Sequence, residues 1–103
     1  LDLNDLRFFV QVADQGGFAA AGRALGMPKS TLAKRIGDFE TRLGLRLFQR
    51  HARQFALTEI GRELYERAQA MLVEAEAAEA LIQGRLNEPA GLVRLTASTV
   101  EAQ

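Results

Sequence analysis

Apolar residues recur three or four positions apart along most of the chain, and this spacing predicts a mainly helical fold. The first helical pattern follows Asp2 or Asn4, either of which can cap it, and is ended by the pair Gly16 and Gly17. The second is short, over residues 18–25, and is terminated by Gly26. These two patterns predict a pair of short helices separated by a glycine turn.

A third helical pattern covers residues 28–43, with Pro28 suited to its first turn and Gly44 closing it. Its core stripe steps by 4, 3 and 4 positions through Leu32, Ile36, Phe39 and Leu43. The opposite side and the N-terminal end carry small, polar or cationic residues instead: Lys29, Ser30, Ala33, Lys34, Gly37 and Thr41. This helix is therefore expected to expose a polar face away from the core.

Two short alternating runs follow the third helix and predict a β-hairpin over residues 46–57. Leucine and phenylalanine alternate with polar residues on both sides of a basic tip that contains Arg50, His51 and Arg53. No Asn-Gly or Asp-Gly pair fixes the type of turn.

A long fourth helix is predicted over residues 59–87, with Thr58 as its N-cap. An apolar seam runs along it through Ile60, Leu64, Ala68, Met71, Ala75, Ala78 and Ile82. The seam has three interpretations: packing on its own domain, lying on a membrane, or pairing with another helix. The polar side is acidic, which repels anionic lipid, so a partner helix is preferred and these seven residues are the predicted dimerisation contacts.

Charge is unevenly distributed, although the 103 residues hold 13 basic and 13 acidic side chains. Residues 18–58 carry eight basic side chains against two acidic ones, and the flanking segments carry the compensating acidic excess. A cationic block in a neutral chain favours a polyanionic partner for that block. No apolar run is long enough to cross a bilayer and no signal peptide is recognisable, so we expect a cytoplasmic protein without membrane contact.

Helix, short helix, turn, helix and hairpin is the order of a winged helix-turn-helix, made of three helices plus a two-stranded β wing. The third helix would enter the major groove of double-stranded DNA, and the wing would reach the adjacent backbone or minor groove. The predicted DNA-binding residues are Lys29, Ser30, Thr31, Ala33, Lys34, Arg35, Gly37, Arg50, His51 and Arg53. Arg35 lies near the core edge and has an alternative role, pairing with Asp38 or Glu40.

Other classes of function find little support in the sequence. There is no cysteine and only one histidine, so no metal site is expected, and no cofactor is expected because no glycine-rich phosphate loop follows a strand. Catalysis is not expected either. The alternative to DNA binding is a helical dimerisation and protein-interaction module that does not read DNA.

Three phrases carry a resemblance to a known family: "LRFFVQVADQGGFAAAGRALG", "STLAKRIGDFETRLGLRLFQR" and "LTEIGRELYERA". In this order and at these separations, they resemble the N-terminal domain of the LysR-type transcriptional regulators over residues 2–87. The resemblance implies a winged helix-turn-helix in residues 1–58 and a linker helix in residues 59–87 that pairs with its twin in a homodimer. Where many members carry serine, this chain has Ala33.

The last segment also fits this resemblance. Residues 88–103 would form a hinge and the first strand of an effector-binding domain that is otherwise absent from this chain. A small-molecule effector would act only through that domain, and the full-length protein would form a higher homo-oligomer.

Overall fold

A computed structural model describes residues 1–50 and 53–88 of the chain. In these residues it contains four helices: α1 (Leu3–Gln15), α2 (Phe18–Leu25), α3 (Lys29–Leu43) and α4 (Glu59–Asn87). The predicted mainly helical class is confirmed. The internal contacts divide the chain into a first unit, Leu1–Leu72, and a second unit that begins at Val73.

The first helix begins and ends where its capping residues permit. Asp2 is the N-cap, because its carboxylate accepts a hydrogen bond of 2.8 Å from the amide of Asn4. Gly16 ends the helix at a φ of 78°, a left-handed conformation that glycine adopts without steric cost. Of the two candidate caps, the structure therefore selects Asp2.

The third helix begins one residue later than predicted. Pro28 has an extended backbone conformation, with a ψ of 142°, and is the N-cap of α3 rather than a member of its first turn. The turn before it is tight, since the amide of Met27 donates to the carbonyl of Gly22 at 2.9 Å. A Cβ at Gly22 would lie 2.7 Å from the Met27 carbonyl oxygen, so this approach of α2 to α3 requires glycine.

Aromatic rings from several elements form the core of the first unit. The ring of Phe9 lies 6.5 Å from that of Phe39 and 5.4 Å from that of Phe48, measured between centroids. Phe18 packs edge-on against Phe48 and Phe55. Around the rings, the buried aliphatic residues are Leu6, Val10, Val12, Ala21, Leu32, Ile36, Leu47 and Ala68. The predicted stripe of α3 thus packs into one core, with Leu43 at its edge.

The predicted two-stranded wing is not confirmed. Within the described residues, the segment contains one isolated antiparallel bridge, between Phe48 and Leu57. Two backbone hydrogen bonds of 2.9 Å flank it, from Gln49 to Ala56 and from Thr58 to Leu47. Leu47 and Phe48 are both buried, although consecutive side chains of a regular strand face opposite ways. The base of the hairpin is therefore paired, but no regular strand extends from it in the residues that the structure describes on either side of the tip.

The start of α4 confirms the predicted N-cap. The hydroxyl of Thr58 accepts a hydrogen bond from the amide of Gly61 at 3.0 Å and donates to the carbonyl of Arg46 at 2.7 Å. One turn further on, the hydroxyl of Tyr65 donates to the carboxylate of Asp14, and this hydrogen bond is the main cause of the raised pKa of Tyr65. These bonds join α4 to the hairpin base and to α1.

Two sequence predictions fall on residues that lie outside the described part of the chain. One is His51 at the tip of the hairpin, and the other is the strand predicted within residues 88–103, of which only Glu88 is described. None of the four helices in the described residues combines the length and apolarity needed to span a membrane.

Candidate nucleic-acid interface

The polar face of α3 is the surface that the core leaves open. Leu32 and Ile36 are buried on one side of the helix, while Ser30, Lys34 and Thr41 are exposed on the other. Between the exposed side chains lie two small residues, Ala33 and Gly37, which are half-buried. A Cβ placed on Gly37 would meet no other atom within 4 Å, so the surface there is low and open. Another molecule can approach the helix backbone closely at this point.

The N-terminal end of α3 presents backbone donors. The first helical hydrogen bond runs from the amide of Leu32 to the carbonyl of Pro28 at 3.1 Å. The amides of residues 29–31 consequently have no acceptor within the helix, and no side chain caps them. Lys29, Ser30 and Thr31 are also exposed. Unpaired amides at a helix start, together with a lysine, attract phosphate oxygens.

One of the predicted cations on this face has a carboxylate neighbour. The ammonium of Lys34 lies 3.1 Å from the carboxylate of Asp38, one turn along α3, and both side chains are largely exposed. Exposed pairs of this kind contribute about 0.3–0.5 kcal/mol. A phosphate group can therefore compete for Lys34 at little cost.

Arg35 pairs with neither of the two acidic residues considered in the sequence. Its Nε donates to Oδ1 of Asp5 at 3.1 Å, and its guanidinium carbon lies 4.9 Å from the centre of the Phe8 ring. The predicted alternative, a bond to Asp38 or Glu40, is wrong, because α1 brings a buried carboxylate closer than either of them. Arg42 also contacts Asp5, so it has a structural role in this unit.

Two arginines of the hairpin lie near a buried carboxylate, and a third is exposed to solvent. Arg50 contacts the carboxylate of Glu40, and Arg46 lies 3.7 Å from the same carboxylate. Arg53 is exposed. The predicted phosphate contact by Arg50 would therefore begin from a side chain that is already held by an acidic partner.

Sequence reasoning missed the two buried carboxylates that organise these cations. Asp5 and Glu40 are 2% and 3% exposed. Glu40 accepts hydrogen bonds from the amides of Leu47 at 2.7 Å and Phe48 at 3.3 Å, in addition to its arginine contacts. A signal was available: Glu40 is four residues after Ile36, and Asp5 is four residues before Phe9, so each acid lies beside a core stripe. An acid at such a position needs a partner within the fold.

The predicted dimer seam on α4 is partly used by the chain itself. Ala68 is fully buried, and Leu64 and Met71 pack against the core of the first unit. The assignment of Ala68 as a dimer contact is therefore wrong, because it has no surface to offer a partner. Leu64 and Met71 are half-buried. Of the remaining seam residues, Ala75 is half-buried, and the exposed ones are Ile60, Ala78 and Ile82.

Further exposed apolar side chains lie in the second unit. Val73 is 63% exposed, Leu81 is 65% exposed and Leu86 is 71% exposed, in addition to Ile82 at 58%. Ile82 and Leu86 are about one turn apart on the same side of the helix, and exposed aliphatic side chains of this kind are candidate contacts for another protein chain.

Comparison with known proteins identifies relatives of this arrangement. The family model for the bacterial regulatory helix-turn-helix proteins of the lysR family matches residues 3–62. An HTH-type transcriptional regulator of Xanthomonas campestris is 42% identical over 95 residues, which are 92% of this chain and 28% of that protein. The HTH-type transcriptional regulator PtxR of Pseudomonas aeruginosa is 40% identical over 94% of this chain and 31% of its own length. The chain thus spans about three tenths of the length of these curated relatives.

Solved structures give the same result for the fold. The chain in the BenM_DBD/benA site 1 DNA complex superposes with a TM-score of 0.80 and 25% identity, covering 86% of this chain and all of that one. Full-length BenM, as the R156H mutant, superposes with a TM-score of 0.76 and 26% identity, covering 85% of this chain and 28% of its own. The arrangement of helices described here is therefore shared with a domain that has been crystallised on DNA.

Proposed function

Since this chain belongs to the lysR family of bacterial regulatory helix-turn-helix proteins, we propose that it binds double-stranded DNA sequence-specifically as the DNA-binding part of a transcription regulator. In this proposal α3 lies in the major groove, and the 46–57 segment contacts the adjacent backbone or minor groove. The observation that carries it is the open face of α3, which joins unpaired N-terminal amides, exposed Lys29 and Lys34, and a low surface at Gly37.

The dimensions of a DNA groove suit this face. The major groove is about 12 Å wide and admits one α-helix, and short side chains on the entering face let the helix backbone approach the bases closely. Ser30, Ala33 and Gly37 are short, and Lys34 can reach a base edge or a phosphate. Of the residues predicted to bind DNA, the proposal retains Lys29, Ser30, Thr31, Ala33, Lys34, Arg35, Gly37 and Arg53 as contacts. Arg50 could contact DNA only by exchanging its bond with Glu40 for a bond with a phosphate.

The proposed organisation follows the family. Residues 1–58 bind DNA, residues 59–87 form the linker helix that pairs in a homodimer, and residues 88–103 lead into an effector-binding domain. Two α3 helices would then read half-sites about one helical turn, or a multiple of it, apart on one face of the duplex. A chromosomal partner places the protein at the nucleoid in the cytoplasm, and any small-molecule effector would act through the further domain.

Replacing Lys34 with alanine is expected to weaken binding to specific and random duplexes alike. Loss of one phosphate contact should lower the slope of log affinity against log salt by about one. Fluorescence anisotropy with a labelled duplex at several salt concentrations measures both quantities. The melting temperature should be unchanged, because the pair with Asp38 is exposed.

Arg67→Ala is the matched control for this experiment, since it removes the same charge from an exposed position on α4. It should change the affinity less than Lys34→Ala does. If the two variants bind DNA equally well, α3 is not the element that contacts the duplex, and the protein-interaction module becomes the better interpretation.

Replacing Ile82 with aspartate is expected to convert the dimer to a monomer, because it places a charge among the exposed apolar side chains of the second unit. Sedimentation velocity measures the change in mass. The melting temperature of the first unit should not change, since Ile82 is outside it. Gln83→Asp adds the same charge at the neighbouring exposed position and should leave the dimer intact; dissociation of both variants would mean that charge alone separates the chains.

A further inference from the structure

Arg35 is held on two sides by α1. Its Nε donates to the buried carboxylate of Asp5 at 3.1 Å, and the guanidinium lies over the ring of Phe8. The second oxygen of the same carboxylate is occupied by Arg42. Despite these contacts, the Arg35 side chain remains 42% exposed. It is thus anchored at its inner edge while its outer edge faces the solvent.

The burial of Asp5 explains why this anchor is rigid. A carboxylate that is removed from water needs opposite charge and hydrogen bonds on both oxygens. Arg35 and Arg42 supply one of these each, so neither arginine can leave without exposing Asp5 to an uncompensated environment. The stacking on Phe8 further limits rotation of the guanidinium plane.

The atom that Arg35 uses is important. A guanidinium has five donors in a planar fork, and the bond to Asp5 takes the one on Nε. The two terminal amino groups remain to donate to another acceptor, in a plane that is already fixed. A planar fork with two parallel donors matches the oxygens of a phosphate group.

The position of Arg35 on α3 selects the backbone of DNA over the base edges. It lies about 70° around the helix from the centre of the core stripe, at the edge next to α1. When a recognition helix lies in the major groove, its centre faces the bases and its edges face the phosphates that border the groove.

We propose that Asp5 is a positioning residue for DNA binding, which holds the guanidinium of Arg35 so that its terminal amino groups bind a phosphate at the edge of the major groove. This inference rests on the proposed function and adds a residue of α1 that has no contact with DNA itself. The Arg35 side chain is already ordered in the free protein, so it loses little conformational entropy when DNA binds.

The direction of the affinity change caused by Asp5→Asn shows whether Asp5 positions Arg35 or acts only through its negative charge. Asp5→Asn makes the protein more positive by one, and charge alone would therefore strengthen binding to a polyanion. If Asp5 positions Arg35, the same substitution weakens binding instead, because a neutral amide with one acceptor oxygen holds the guanidinium groups of Arg35 and Arg42 less firmly than a carboxylate does. Asp2→Asn is the matched control: it removes a carboxylate from the same end of α1 and keeps an N-cap, since asparagine caps as well as aspartate does.

The experiment measures binding of the full chain to a labelled random-sequence duplex by fluorescence anisotropy over a range of salt concentrations. Arg35→Ala should lower the affinity roughly tenfold, as expected for loss of one charge-assisted hydrogen bond, and reduce the salt slope by about one. Asp5→Asn should weaken binding in the wild-type background, whereas in the Arg35→Ala background it should leave the affinity unchanged or raise it, because only the change in charge remains. Asp2→Asn should leave the affinity unchanged or raise it.

Several results would overturn the proposal. If Asp5→Asn binds DNA as tightly as the wild type or more tightly, the Asp5 carboxylate acts only by repelling the phosphates. If Asp5→Asn weakens binding in the Arg35→Ala background as much as in the wild type, Asp5 does not act through Arg35. Should Asp5→Asn fail to fold, Arg35→Lys decides, because lysine keeps the charge without the Nε donor or the planar fork; wild-type affinity in that variant contradicts the proposal. If the wild-type chain itself fails to bind at low salt, the proposed function fails, which is a separate result.

Discussion

Replacing Gly61 with alanine is expected to destabilise the first unit by about 3 kcal/mol or more, a loss at the upper end of that observed for overpacked positions. A Cβ at this position would lie 2.2 Å from the carbonyl oxygen of Leu47 and 3.0 Å from its carbonyl carbon. Both are backbone atoms, and the same oxygen accepts the hydrogen bond from the amide of Thr58. The clash cannot be relieved by rotation of a side chain. Chemical denaturation followed by circular dichroism measures the free energy of unfolding.

Gly37→Ala is the matched control for Gly61→Ala, because it adds the same methyl group to a helix of the same unit where no atom lies within 4 Å. It should stabilise the fold by about 0.5–1 kcal/mol, since alanine loses less backbone entropy than glycine in a helix. If both variants show the same small change, α4 does not cross the hairpin base as closely as described.

The contact between Gly61 and the Leu47 carbonyl also explains why the N-terminal turn of α4 lacks a capping box, since glutamate at position 61 would not fit.

Replacing Glu40 with alanine should be similarly damaging, with an expected loss of about 2–5 kcal/mol. The substitution leaves the amides of Leu47 and Phe48 without their acceptor, and each buried unsatisfied donor costs about 1–3 kcal/mol. Arg46 and Arg50 are sufficiently exposed to be rehydrated, so the amides dominate the loss. The hairpin base should loosen. Hydrogen exchange measures this loosening, and we expect it to be faster at the amides of residues 47 and 48.

Glu40→Gln tests this explanation, because glutamine keeps an acceptor oxygen in a side chain of the same shape. It should lose much less stability than Glu40→Ala. Asp38→Ala removes an exposed carboxylate from the same helix and should change the free energy of unfolding by no more than about 0.5 kcal/mol. An equal loss for Glu40→Ala and Asp38→Ala would show that the buried hydrogen bonds contribute nothing measurable.

The helices could be predicted from the sequence because their limits are set locally. Gly17 and Gly26 flank α2, and its predicted and observed bounds agree. Pro28 marks the start of α3 to within one residue. Spacing of three and four also identified the buried side of α3, because one stripe of that helix faces the core of the first unit.

The pairing of charges could not be predicted in the same way. Asp5 and Arg35 are 30 residues apart, and helical spacing shows which side of its own helix each residue occupies but not which residue of another helix meets it. The local candidates for Arg35, Asp38 and Glu40, were closer in sequence and wrong. Glu40 itself bonds to residues of the hairpin, seven to ten positions further on.

The seam of α4 illustrates a second limit of periodicity. A stripe of apolar residues shows that a helix side is buried but not whether its own chain or another chain covers it. Along one continuous pattern, Ala68 is covered by the core of the first unit whereas Ile82 is exposed. Alternation likewise failed in the hairpin, because Leu47 and Phe48 are buried together where the chain turns from α3 towards α4.

The central claim is that the open face of α3 binds duplex DNA, and a salt titration tests it most directly. The full chain is titrated into promoter-derived and random duplexes by gel shift, from low to physiological salt. We expect binding to both at low salt, a linear fall of log affinity with log salt, and a higher affinity for the promoter-derived duplex throughout. Failure to bind either duplex at low salt, or an affinity that does not respond to salt, would contradict the claim.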